Sequence, residues 1–210
     1  FRFVAFLLMD LAYAGEAEQG RQLLNAYLMH TGDYGALALL RFYLVYRAMV
    51  RAKVTAIGAA QHHHTDATQD EALRSYVREA QALSRRPPPP RLVMLCGLSG
   101  SGKTWLATRL SERLPLVHIR SDVERKRLFG LPPLARTEAG LGAGIYAPDA
   151  TERTYARLLA LAQQCLDAGY GVLVDATFLS ARRRRPFREL ADAVGCGLGG
   201  ARCTRESFPP

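Results

Sequence analysis

The chain has 210 residues, 49% of them hydrophobic and 22% charged, with a formal net charge of +9 at pH 7. That mix excludes wholesale disorder and supplies enough apolar side chains for one large core or two small ones. The positive balance favours encounters with anions without selecting one, and four cysteines, at 96, 165, 196 and 203 with no CxxC pair, point away from a metal knuckle or disulfide framework and toward reduced thiols in the cytoplasm.

The first half reads as helices. The chain opens on Phe1, and "FRFVAFLLMDLAYAG" is too short to span a bilayer, carries Arg2 and Asp10 and lacks a secretory cleavage pattern, so no membrane association is expected. "VAFLLMDLAYAG", "QGRQLLNAYLMHTG" and "DYGALALLRFYLVYRAMVRAKVTAIG" are helix-like blocks expected to end at Gly15, Gly32 and Gly58. Leu37, Leu40, Leu44 and Ala48 mark one packing face of the third. Residues 1–60 are therefore expected to form a helical unit. A connector over 61–90 follows: the polar "QHHHTDATQD", the helix "EALRSYVREAQALS", and "RRPPPPR", whose prolines stop the helix and mark the domain boundary. His62, His63 and His64 would point in different directions on a helix and have no carboxylate or cysteine set placed to complete a site, so they are read as polar connector rather than a metal site.

Residues 91–195 carry the chemistry. "LVMLC" is expected as a buried parallel strand, and "GLSGSGKT" matches GxxxxGKT in full, with Gly97, Leu98, Ser99, Gly100, Ser101, Gly102, Lys103 and Thr104 as the binding loop. Glycines let consecutive amides approach phosphate oxygens; Lys103 would reach the terminal phosphates of ATP and the Thr104 hydroxyl would ligate Mg2+. "WLATRLSERL" continues as the helix whose amino end adds favourable dipole.

"LVHIR" is expected as the second strand, with Ser121 capping the next helix and Glu124 as its reciprocal partner. Asp122 then sits where strands open toward the phosphate loop, placed to orient and deprotonate an acceptor hydroxyl, with Arg125 one turn on to offset negative charge. Asp149 and Glu152 are expected as a second capping box. "YGVLVDATF" supplies a third strand ending in Asp175, a second candidate magnesium ligand, with Thr177 as a further phosphate-network residue. In "SARRRRPFRELADAVG" the four arginines cannot share one direction, and aromatic residues that would make a nucleic-acid stacking platform are absent apart from Phe187.

"GLSGSGKTWLA", "IRSDVERKRL" and "GVLVDATFLSARRRRPFRELA" resemble small phosphoryl-transfer kinases related to polynucleotide kinase, gluconate kinase and zeta toxins. The resemblance implies that Lys103 and Thr104 handle the triphosphate, that Asp122 acts on the acceptor hydroxyl and that Arg125 is its companion. "VAFLLMDL", "LLNAYLMHTGDY" and "ALLRFYLVYRAMVRAKV" resemble the carboxyl-terminal helices of aminoglycoside phosphotransferase-like domains, and the whole order is similar to bacterial fusions of such a domain with a P-loop kinase-like one. No HGDxHxxN segment occurs, so antibiotic modification is not implied, and the helices read as the tail of a domain whose active lobe lies upstream.

Kinases of this group continue with a further strand, an arginine-bearing lid and a terminal strand near the base. "VGCGLGGARCTRESFPP" offers no apolar strand, so residues 196–210 are expected to be an irregular tail. The expected fold is α/β: a three-layer parallel sheet of P-loop type, truncated, preceded by a helical segment. The expected function is ATP binding with magnesium-dependent phosphoryl transfer to a small hydroxyl-bearing acceptor, the alternative being a nucleotide-binding module without acceptor turnover. Nucleic acid is a weak candidate partner.

Overall fold

Blocks of apolar residues at three- and four-residue steps become helices, and short continuous apolar runs become strands. The computed structural model describes residues 1–61, 67–85, 87–135 and 144–203; His62, His63 and His64 lie outside them. Two units divide the chain, one formed by Phe1–Leu24 with Ala36–Pro88, the other by Asn25–Gly35 with Pro89–Pro210.

The first unit holds α1 (Arg2–Tyr13), the first part of α2 (Ala17–Thr31), α3 (Leu37–Gln61) and α4 (Ala67–Ser84). Met9, Ala48 and Ala80 form a buried cluster with Leu44 and Val45 against it, and the rings of Tyr13 and Tyr76 stack at 4.0 Å. Helix α3 runs through Gly58 to Gln61 rather than stopping there; one glycine inside a long helix costs only about 1 kcal/mol, which neighbouring turns carry.

The second unit is built on β1 (Arg91–Cys96), β2 (Leu116–Arg120), β3 (Gly171–Asp175) and β4 (Gly197–Arg202), all parallel in the order β2-β3-β1-β4. The connecting helices are α5 (Lys103–Arg113), α6 (Ser121–Leu128), α7 (Pro148–Asp167) and α8 (Ala181–Val194). Right-handed crossovers place α5 on one face and α7 and α8 on the other. Alternation along the strands sends Leu95, Leu116 and Leu173 toward Ala107 of α5, while Leu92, Val172 and Val174 are fully buried on the opposite face.

Two local expectations are corrected. Residues 197–202 are a strand and not irregular: β4 pairs along all six residues of β1, from Arg91↔Gly197 to Cys96↔Arg202. Its glycine-rich sequence follows the ladder offered by β1 rather than any side-chain pattern. Residues 204–210 lie outside the described residues. The two capping boxes also do not form. Helix α6 begins at Ser121 and α7 at Pro148, so the cap positions fall on Arg120 and Ala147, neither with a side-chain cap, while Glu124 and Glu152 face arginines.

Glu124 is completely buried. It pairs with Arg127 and with Arg157 at 3.5 Å, and accepts from the Tyr34 hydroxyl at 3.3 Å. The Asn25 side chain does for the exposed edge of β2 what another strand would do: its Oδ1 accepts from the His118 amide at 2.8 Å and its Nδ2 donates to the Leu116 carbonyl at 3.2 Å. Arg127 donates to the Met29 carbonyl at 2.6 Å.

Candidate functional site

The phosphate-type loop begins where β1 ends. Gly97 donates to the Thr177 carbonyl at 3.0 Å, tying the loop to the end of β3. A Cβ at Gly97 would lie 2.5 Å from the Cys203 carbonyl oxygen and 2.8 Å from Ser101 Oγ, so the loop passes too close to β4 and to itself for any side chain. Gly102, at φ 78°, caps α5 in the left-handed region. Lys103 opens that helix with its side chain buried, donating to the Leu98 carbonyl and, at 3.4 Å, facing Ser101 Oγ.

The strand ends converge on one side of the loop. The Thr104 hydroxyl donates to Asp175 Oδ2 at 2.7 Å. The register sets Arg120 beside Asp175 and Asp175 beside Leu95. His118 Nε2 lies 3.6 Å from Asp175 Oδ2. Burial alone would push the Asp175 carboxyl up, but His118, the Thr104 hydroxyl and the charge on Arg120 outweigh it and hold the carboxyl below its ordinary value. A cleft of about 360 Å³ collects Ser99, Gly100, Gly102, Lys103 and Thr104 of the loop region with Arg120, Asp122 and Asp175. Asp122 Oδ2 is held by Lys126 at 2.7 Å.

Arg125 is not among the residues lining that cleft. Its guanidinium donates to the Ile145 carbonyl at 2.9 Å and to Thr151 Oγ1 at 3.1 Å, and lies over the Tyr146 ring at 5.1 Å. Thr177 lines the cleft, with its hydroxyl 3.1 Å from the Tyr155 hydroxyl.

A larger cavity of about 860 Å³ borders the other side of the loop, lined among others by Leu98, Phe178, Arg184, Arg188 and Ala201. Phe178 is fully buried with φ 45°, a strained conformation for a bulky residue. Its amide donates to the Tyr155 hydroxyl at 3.0 Å and its carbonyl accepts from Arg184 at 2.5 Å. The arginine run is thus divided among partners: Arg182 and Arg183 face Glu152, Arg184 holds Phe178, and Arg185 pairs with Glu189. Neither Phe178 nor the edge contact of Asn25 is signalled by any motif.

The donor set fits a magnesium nucleotide. A hydroxyl and a carboxylate in contact are hard oxygen ligands of the kind Mg2+ takes in small number beside phosphate and water, and a buried lysine with a glycine-lined loop suits a polyphosphate. Among the described residues there is no group of three His, Cys, Asp or Glu able to hold a metal alone, and no helix is long and apolar enough to cross a membrane.

Residues 92–198 match the family described as AAA domain. Uncharacterized proteins of Mycobacterium tuberculosis and Mycobacterium bovis are 30% identical over 200 residues, covering 95% of this chain and 39% of their own. The chain thus spans about two fifths of the length of the curated relatives it matches. A solved structure of a mutant APS kinase from Mycobacterium tuberculosis is similar over 59% of this chain and 82% of that one, at 24% identity and a TM-score of 0.43.

Proposed function

The chain belongs to the AAA domain family, and from that premise we propose that its sheet unit binds ATP with Mg2+ and transfers the γ-phosphoryl group to the hydroxyl of a small acceptor. The observation that carries this reading is the single cleft lined by the loop, Thr104, Asp175 and Asp122. Lys103 and the loop amides would hold the triphosphate, with Thr104 and Asp175 as the protein ligands of magnesium. The metal supplies charge neutralisation across the transferring phosphates. Asp122, steadied by Lys126, would align the acceptor hydroxyl and take its proton as the new P–O bond forms and ADP leaves. Arg125, engaged by Ile145 and Thr151, enters as a positioning residue that ties α6 to the start of α7. The cavity between the loop and β4, with Leu98 and Arg184 on its walls, is the space we assign to the base.

We infer also that the helical unit belongs to an aminoglycoside phosphotransferase-like neighbour. Exposed apolar side chains on α1 and α3, among them Phe3, Leu39, Phe42 and Tyr46, support a packing partner for it. Four free cysteines support a cytoplasmic setting.

The test is ATP consumption by the purified chain with and without candidate acceptors, beside Lys103→Ala and Asp122→Ala. The first variant is expected to lose ATP binding, and the second to keep binding while losing acceptor-dependent turnover. Equal turnover in Asp122→Ala and the parent would remove that residue from the reaction; normal ATP binding without turnover across a broad panel would favour a nucleotide-binding module.

A further inference from the structure

We propose that the acceptor carries an oxyanion of its own and that Arg120 recognises it, an inference that rests on the phosphoryl-transfer reading above. The cleft has four charged side chains on its wall: Lys103, Arg120, Asp122 and Asp175. Three already have hydrogen-bonding or ionic partners. Lys103 is bonded within the loop, Asp175 accepts from Thr104, and Asp122 pairs with Lys126.

Arg120 forms no ion pair with any described residue. Among the described residues its Nη1 reaches only the Met29 sulfur, at 3.6 Å, and its Nε is shielded from solvent with no hydrogen-bond partner there. A thioether is a weak acceptor. A guanidinium offers five donors in a fork that matches an oxyanion two bonds at a time, and here most of that fork is unspent. The outer nitrogens, with a thioether as their partner, are the donors an oxyanion in the cleft would meet.

Position sets this charge beside Asp175 and away from the loop amides. Arg120 ends β2, and β2 stands two strands from β1, from which the loop springs. At the usual spacing that is roughly 9 to 10 Å across the sheet, beyond the phosphates gripped by the loop amides. Asp122, the residue assigned to the acceptor hydroxyl, follows two positions later. Helix α6 begins between them at Ser121 with no side-chain cap, so its first amides add donors and a favourable dipole beside the guanidinium. The end of the cleft away from the loop is therefore built for a negative group attached close to the reacting hydroxyl. The guanidinium would also offset the repulsion such an acceptor meets from Asp122, Asp175 and the triphosphate.

Inorganic phosphate, titrated calorimetrically into the full chain preloaded with Mg2+ and a non-hydrolysable ATP analogue, reads this subsite independently of the acceptor's skeleton. The parent is expected to bind it saturably; Arg120→Met weakens it about tenfold to a hundredfold with unchanged analogue affinity, and Arg120→Lys restores part. Glycerol 3-phosphate, glycerate and glycerol form a second arm, with the two anions expected to bind more tightly than glycerol and to lose that advantage in Arg120→Met. No second phosphate site in the parent, or equal phosphate affinity in Arg120→Met, overturns the proposal. So does a loss of analogue affinity in Arg120→Met with the preference for anions intact, which would give Arg120 to the nucleotide. A parent that fails to bind the analogue overturns the nucleotide reading instead, and the same probes on the unloaded chain still score Arg120.

Discussion

The Thr104 hydroxyl and the Asp175 carboxylate, 71 positions apart in sequence, are joined by a 2.7 Å hydrogen bond across the mouth of the loop. That contact sets two hard ligands at one point. Asp175→Asn is expected to reduce the Mg2+-dependent part of nucleotide affinity by about tenfold to a hundredfold while leaving metal-free binding little changed. Fluorescent-nucleotide titration with and without Mg2+ measures it; equal losses under both conditions would deny Asp175 the metal.

Gly97→Ala forces a methyl to within 2.5 Å of the Cys203 carbonyl oxygen. Backbone on both sides must yield, at a cost of about 1–3 kcal/mol. The variant is expected to lose both nucleotide affinity and thermal stability, whereas Gly100→Ala, where an added Cβ meets nothing within 4 Å but φ is 77°, suffers only the backbone strain. Calorimetric melting of the two variants distinguishes these outcomes.

Glu124→Ala removes the buried carboxylate that pairs with Arg127 and Arg157 and accepts from Tyr34. The arginines left behind are partly solvated and Arg127 keeps the Met29 carbonyl, so the expected cost is about 1–3 kcal/mol, that of the lost charge-assisted hydrogen bonds. Urea unfolding should show the shift. If Glu124→Ala is as stable as the parent, the cluster contributes nothing.

Asn25→Ala strips the edge of β2 of two hydrogen bonds. A loss of about 1–3 kcal/mol is expected, with faster amide exchange at His118 as the local signature. Asn25→Asp keeps an acceptor for that amide and should protect it better than Asn25→Ala.

Burial and the nearby Glu124 push the Cys165 thiol from an ordinary 9.0 up to about 12. An acid whose folded value is raised contributes its full stability below the unfolded value and loses it as pH rises toward the folded one. Between pH 9 and about 12 this thiol is expected to draw stability down by about 1.4 kcal/mol per unit. Cys165→Ala, though less stable at neutral pH, should have a flatter alkaline limb; parallel limbs would contradict it. Thiol reagents should reach Cys165 only on unfolding.

The strands that carry the candidate site residues were readable from sequence for physical reasons. "LVHIR" and "GVLVD" are mostly apolar without strict alternation because parallel strands are covered on both faces, and their last residues, Arg120 and Asp175, had to emerge on the side where the loop opens. What escaped has an equally physical cause. "GLGGAR" carries no apolar alternation, since β1 dictates the backbone of β4. The spacing of Ser121 and Glu124 suits a cap as well as an interior ion pair, and only tertiary packing decides between them. Arg120 was invisible as a special residue because a guanidinium without an ion-pair partner among the described residues is defined by tertiary surroundings. Asn25 bonds to residues more than 90 positions away, a relationship no local window contains.

That long-range contact bears on how the protein is made. Residues 25–35 belong with the sheet, yet they leave the ribosome 91 positions ahead of the strand edge they cover. At ordinary synthesis rates of about 5–20 residues per second that interval is roughly 5 to 18 s, during which the second half of α2 has no sheet to dock on. The nascent sheet edge is sealed from within by a segment already waiting, so the chain guards its own open strand before another molecule can pair with it.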